Sequence, residues 1–167
     1  MTSSTSQTSP AVTGWHHLAY PVPDLERSGE WYARVLRGEI TMRTGWSEMD
    51  RRAGRTRQVW VTAGTAVINL AEGPIVERPP GLHFFHFAMD APAAELDAWI
   101  AHLTDSGVKV LGPYGHGGVG LLSLYFDDPD GYRLELMFDF GDYETAKTEA
   151  IARGGALGNP DLQYEWV

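Results

Sequence analysis

Two of the six histidines, His17 and His86, stand 69 positions apart in similar surroundings, His-Leu-Ala-Tyr and His-Phe-Ala-Met. A third candidate for chemistry is Glu135, set in the run YRLELMF. Side chains alternate faces along a strand, so Arg133, Glu135 and Met137 share one side there and Tyr132, Leu134, Leu136 and Phe138 the other. A carboxylate in so apolar a strand is costly to bury unpaired, and a metal ion is the partner that would suit it. Two imidazoles and one carboxylate with open positions form the arrangement that non-haem Fe(II) sites use. The chain has no cysteine, which excludes disulfides, Fe–S clusters, thiolate zinc sites and thiol nucleophiles together. Any metal must then be held by His, Asp, Glu, Asn or water, and His17, His86 and Glu135 are the expected ligands.

The elements that would carry these residues come in a repeated order. Gly14–Val22 reads as a strand, Asp24 as an N-cap, and Leu25–Leu36 as a helix with Leu25, Trp31, Tyr32, Val35 and Leu36 on one face. Strands follow at Glu39–Met42, Arg57–Thr62 and Thr65–Leu70, and Glu72–Gly81 reads as a Pro/Gly linker. The order then restarts with a strand at Leu82–Met89, a helix at Ala93–Leu103, a short strand at Val108–Leu111 and a loop at Gly112–Gly120. A hairpin of Leu121–Phe126 and Tyr132–Phe138 turns through Asp127–Gly131, and a last helix spans Asp142–Arg153. An offset of 69 superposes His17 on His86, Ala19 on Ala88, Glu26 on Glu95 and Gly38 on Gly107. The economical fold is α+β: two tandem βαβββ modules, residues 14–72 and 81–139, forming a half-barrel pair around a metal site. Residues 1–13 read as a disordered tail, 14–140 as the domain, and 141–167 as a terminal helix and tail.

With 13 basic and 22 acidic side chains the formal charge is −9, which argues against a nucleic-acid binder. No apolar run approaches the ~20 residues that span a bilayer, and the polar start lacks the features of a signal peptide. The expectation is a cytoplasmic protein that binds neither nucleic acid nor membrane. One region departs from the average. Arg43, Arg51, Arg52, Arg55 and Arg57 face only Glu48 and Asp50 over this stretch. Such an island would attract an anion, and Arg55 and Arg57, which open a strand, are the expected substrate-binding members.

The run WHHLAYPVPDLERSGEWY, with DPDGYRLEL later, resembles the vicinal oxygen chelate superfamily of glyoxalase I, fosfomycin and bleomycin resistance proteins and type I extradiol dioxygenases. The resemblance covers about Gly14–Asp139 and implies a VOC-type fold. Glyoxalase-like members use a fourth ligand, a Glu, at the position of Asn69 in AVINL. An amide is a poor ligand there, which moves the reading towards three-ligand dioxygenases, with Asn69 as a substrate contact. Tyr125 lies ten residues before Glu135 and His116 nineteen, and extradiol dioxygenases resemble this segment, with a Tyr and a His acting on oxygen and substrate. The resemblance thus implies an Fe(II)-dependent extradiol dioxygenase, with Mn(II) as the alternative metal and a catechol and O2 as partners. It implies Tyr125 and His116 as catalytic residues. The narrower resemblance is to small L-DOPA 2,3-dioxygenases of antibiotic biosynthesis. One departure is the missing acid–base histidine before the second ligand, for which Asn69 or Glu72 would have to substitute. Two other readings stay open: a glyoxalase-type metal-dependent isomerase or lyase, and a metal-free drug-binding resistance protein. Small members of the superfamily often form homodimers, and the half-barrel edges invite one.

Overall fold

The computed structural model describes residues 14–77, 85–116 and 118–157. The expected tail over 1–13, His83 and the last ten residues lie outside them. The chain builds two sheets. The first holds β1 (Leu18–Val22), β2 (Glu39–Thr44), β3 (Gln58–Ala63) and β4 (Ala66–Glu72), ordered β1-β4-β3-β2. The second holds β5 (Phe87–Ala91), β6 (Leu111–Gly115), β7 (Leu121–Asp127), β8 (Arg133–Asp139) and β9 (Ala156–Leu157), ordered β5-β8-β7-β6-β9. In each sheet the opening strand runs parallel to the last strand of its unit, with a helix between them: α1 (Leu25–Val35) in the first, α3 (Leu96–Asp105) in the second. The α+β fold of two βαβββ units is therefore realised, with α2 (Glu48–Arg52) and α4 (Tyr143–Ala152) as additions.

Local chemistry accounts for the helix positions. The Asp24 side chain accepts from Arg27 N and starts α1, while Ser47 and Asp50 form a capping box on α2. That short helix sits inside the arginine-rich stretch, where polarity alone gives no helical period. The expected strand at Val108–Leu111 starts later, at Leu111, and runs into the stretch expected to be loop. Gly112 makes this approach to β7 feasible: its φ is +120°, and a Cβ there would lie 2.6 Å from Ser123 O. The strands at the candidate ligands are also shorter than expected, so that His17 and His86 each stand just before β1 and β5.

Alternation assigns one face of each sheet to the core. Val59 and Val61 of β3, Ile68 and Leu70 of β4, Leu122, Leu124 and Phe126 of β7 and Leu134, Leu136 and Phe138 of β8 are all buried in one cluster with α1 and α3. The two units thus share a core through their helix-covered faces. Tyr20 stacks on Phe87 at 5.0 Å, and His102 Nε2 is 3.1 Å from Val35 O. A polar clamp completes the seam: Tyr32 donates to Asp128 Oδ2 at 2.8 Å, Ser28 to Asp130 Oδ2 at 2.7 Å, and Arg27 pairs with Asp130. Burial pushes the Asp128 carboxyl up. Among the described residues, no helix is long and apolar enough to cross a membrane.

Candidate metal centre

The opposite faces of the two sheets carry the polar candidates, in matched register. Across the second sheet Ala88 pairs with Glu135, and Glu135 with Tyr125. Across the first, Ala19 pairs with Asn69, and Asn69 with Trp60. Asn69 is therefore the structural counterpart of Glu135, Trp60 of Tyr125, and His17 of His86.

In the second wall His86 Nε2 lies 2.7 Å from Glu135 Oε2, and His116 Nε2 lies 3.8 Å from Glu135 Oε1. His116 also stands 2.7 Å from Ser123 Oγ. Ser123, fully buried, is a site residue that the sequence reading missed; its place two residues before Tyr125, on the same strand face, was the available signal. Glu135 is only 3 % exposed. Burial pushes its carboxyl up, but the polar groups of His116, Ser123 and Tyr125 and the adjacent His86 outweigh this and hold it down at about 2. Tyr125 moves the other way: burial, then the nearby Glu135 carboxylate, push its hydroxyl up to about 12. The wall thus holds a buried negative charge, an imidazole in contact with it and a protonated phenol.

The first wall is different. His17 is exposed; its ring packs against Trp60 at 4.8 Å, and its Nδ1 lies 2.8 Å from His16 Nδ1. The Asn69 amide donates to Gln58 Oε1 at 3.4 Å, while its Oδ1 is buried with no partner among the described residues. Within one chain, and among the described residues, no group of three His, Asp or Glu side chains is arranged so that it could hold a metal ion. His86, Glu135, His116 and Tyr125 are brought together; His17 is not joined to them. The substrate arginines are also engaged elsewhere: Arg55 donates to Asp50 at 3.2 Å, and Arg57 makes two hydrogen bonds to Glu72, one at 2.8 Å. Glu72 is thereby occupied as well, which leaves Asn69 alone of the two proposed proton-transfer substitutes.

A cavity of about 510 Å³ lies between β1 and β5, lined from the core side by Tyr20, Ile68, Leu134 and Leu136 and also by His17 and His86, while Glu135, His116, Tyr125 and Asn69 are not among its lining residues. Neither Arg55 nor Arg57 lines it. The donor set fits a divalent cation: an ionised, buried carboxylate with an imidazole against it presents O and N ligands, the kind that Mn, Fe and Zn accept.

A family model described as the Glyoxalase/Bleomycin resistance protein/Dioxygenase superfamily matches residues 14–136. The chain belongs to this superfamily. Among curated proteins it is similar to the metallothiol transferase FosB of Staphylococcus epidermidis, with 27% identity over 126 residues, covering 75% of this chain and 81% of that protein. FosB of Staphylococcus saprophyticus is 26% identical over 121 residues, covering 72% and 74%. Among solved structures, the fosfomycin resistance protein FosX of Listeria monocytogenes, complexed with Mn(II) and sulfate, superposes with a TM-score of 0.59 at 19% identity, covering 77% of this chain and 93% of that one. FosX of Mesorhizobium loti gives 0.56 at 20% identity, covering 86% and 100%. At such identity the two structures speak for the fold.

These relatives overturn the dioxygenase reading. Proteins named as thiol transferases and fosfomycin resistance proteins, not catechol or L-DOPA dioxygenases, are what the chain is similar to. The assignment of a catechol and O2 as partners falls with it. The physical reason lies in the frame: β6, β7 and β8 bring His116, Tyr125 and Glu135 onto one wall by strand order and register, so their spacing reports the sheet rather than the reaction.

Proposed function

We propose that this protein is a metal-dependent enzyme of the glyoxalase type that adds water or a thiol to a small electrophile such as an epoxide. The observation that carries it is the His86–Glu135 contact of 2.7 Å around a nearly unexposed carboxylate held ionised. The names of the relatives support the class: FosB is a metallothiol transferase, and a mutant FosX of Listeria monocytogenes was crystallised with Mn(II) and 1S,2S-dihydroxypropylphosphonic acid, a vicinal diol. A divalent metal held by His86, Glu135 and His17 would polarise the oxygen that leaves carbon. Mn(II) and Fe(II) both suit this set.

The chain's own groups supply the rest. The new C–O or C–S bond forms as the epoxide C–O bond breaks, and the nucleophile's proton ends on the alkoxide. His116, in contact with Ser123, is placed to take that proton. Tyr125, protonated at neutral pH, is placed to donate to the oxygen that develops charge. Exposed Ala19 and Ala88 leave both walls open, and we take a homodimer as the form in which His17 of one copy meets His86 and Glu135 of another.

Purified wild-type chain should bind one Mn(II) per site and, so loaded, consume members of an epoxide panel with water or thiols. Failure to take up metal, or a loaded protein that opens no epoxide with either nucleophile, would overturn the reading. Sharing between copies has its own test. Mixed His17→Ala and Glu135→Ala chains should recover about a quarter of wild-type activity, because random pairing gives half heterodimers, each with one intact site of two. No recovery would place the ligands within one chain.

A further inference from the structure

We infer that Ser123 is a positioning residue: it holds His116 with the proton on Nε2, so that Nδ1 is the atom that takes the nucleophile's proton. This rests on the proposed function for the reaction, in which His116 is the base. The backbone fixes both partners. Tyr114 of β6 pairs with Ser123 of β7, and Gly115 with Leu122. His116 N then donates to Leu121 O at 3.2 Å, extending the same pairing by one residue. Ser123 is fully buried, so it reaches no substrate and acts only through its neighbours.

Two oxygens face His116 Nε2: Ser123 Oγ at 2.7 Å and Glu135 Oε1 at 3.8 Å. An ionised carboxylate offers acceptors only, whereas a hydroxyl can donate or accept. A lone pair at Nε2 would be set against a negative oxygen, while an N–H there is attracted by both oxygens. Ser123 Oγ therefore accepts from Nε2–H, and the hydroxyl's own hydrogen is left to turn towards the carboxylate, which Ser123 helps to hold ionised. In a neutral imidazole, a proton on one nitrogen leaves the lone pair on the other. Nδ1 makes no hydrogen bond among the described residues, and the side chain is 32 % exposed. Its lone pair is thus free to take a proton as the new C–O or C–S bond forms. That proton is the one the opened oxygen needs, so the balance of the addition is unchanged. The imidazolium formed in between keeps Ser123 Oγ and Glu135 Oε1 beside its Nε2–H, where they stabilise the positive charge. Glu135 Oε2, against His86, stays on the side of the metal.

Nitrogen NMR of the 15N-labelled, metal-free full chain reads the tautomer, because a bare ring nitrogen and one that carries hydrogen resonate far apart. The spectra are taken at about pH 9, well above the ordinary imidazole value of roughly 6.5, and the signals lost in His116→Gln are those of His116. Wild type should show Nε2 protonated and Nδ1 bare. Ser123→Ala should bring the two signals towards each other as the tautomers mix. At saturating Mn(II) the same variant should lower kcat for epoxide opening by about ten- to a hundredfold, the loss typical of a group that orients another, with KM little changed. A bare Nε2 in wild type, signals that stay in place in Ser123→Ala, or an alanine variant with wild-type kcat would overturn the inference. The spectra need neither metal nor substrate. A wild type that takes up no Mn(II) or opens no epoxide would sink the proposed function, while the spectra decide the tautomer separately.

Discussion

The two walls are built on the same register and differ by a few side chains. Ala88–Glu135–Tyr125 crosses the second sheet as Ala19–Asn69–Trp60 crosses the first. The second wall holds a buried carboxylate with His86 and His116 around it. The first holds an amide tied to Gln58 and a histidine resting on an indole. One exchange, carboxylate for amide, separates a wall that carries a buried negative charge from one that brings no charge to offset a cation's lost hydration. A duplicated frame can therefore keep its geometry in both halves while concentrating its chemistry in one.

The largest effect should come from making the second wall like the first. Glu135→Gln keeps the shape and removes the charge. Loss of groups that merely orient ligands costs about 10–100-fold in metal affinity, so Mn(II) affinity here should fall by more than about a hundredfold, with little change in the melting temperature. Retained metal would erase the contrast between the walls. The converse exchange, Asn69→Glu, places a carboxylate in the first wall without an imidazole in contact. An unpaired buried charge is strongly destabilising, and the metal-free variant should lose about 2–3 kcal/mol of stability, read by urea unfolding. Mn(II) should restore part of that loss only if the new carboxylate reaches the ion.

A smaller effect is expected for the groups around Glu135. Tyr125→Phe and His116→Ala should keep metal and slow epoxide turnover by about 10²-fold each, the lower end of what acid–base groups contribute. Loss of metal in either variant would move that residue from proton handling to metal holding. The smallest effect concerns the seam. Asp128 is raised above its usual value of 3.8 by burial, so its contribution to stability is full below that value and declines as pH rises through the raised value. Asn at this position does not titrate. The stability of wild type relative to Asp128→Asn should therefore be greater at about pH 4 than at about pH 7, and a pH-independent difference would show that Asp128 titrates as an ordinary carboxyl.

The order of strands and helices was legible because hydrophobic alternation and helical spacing recur at one offset, His17/His86 and Ala19/Ala88 marking its phase. Glu135 was legible for a related reason: it breaks an apolar run. What could not be read is what depends on partners distant in sequence. The arginine stretch looked like unopposed charge, yet Glu26 and Glu72, outside that stretch, take up two of its members. Helix α2 was missed because a capping box, rather than a periodic apolar face, starts it. Strand β9 was missed because two residues pairing with β6 leave no pattern. The reaction was misread because the spacing of His116, Tyr125 and Glu135 reflects the sheet that holds them.

The seam between the units also bears on how the molecule is made. Tyr32 and Asp128 are 96 positions apart, and Ser28 and Asp130 are 102 apart. Contacts of such separation close late and slow folding. A chain emerging from the ribosome can finish the first sheet and α1 long before the turn at Asp128–Asp130 has been synthesised. Until then Tyr32, wholly buried in the finished protein, has no acceptor in Asp128, and the first unit presents its apolar side to whatever is near, a second nascent chain included. The clamp that unites the halves thus sets an interval during synthesis when the protein is most open to aggregation.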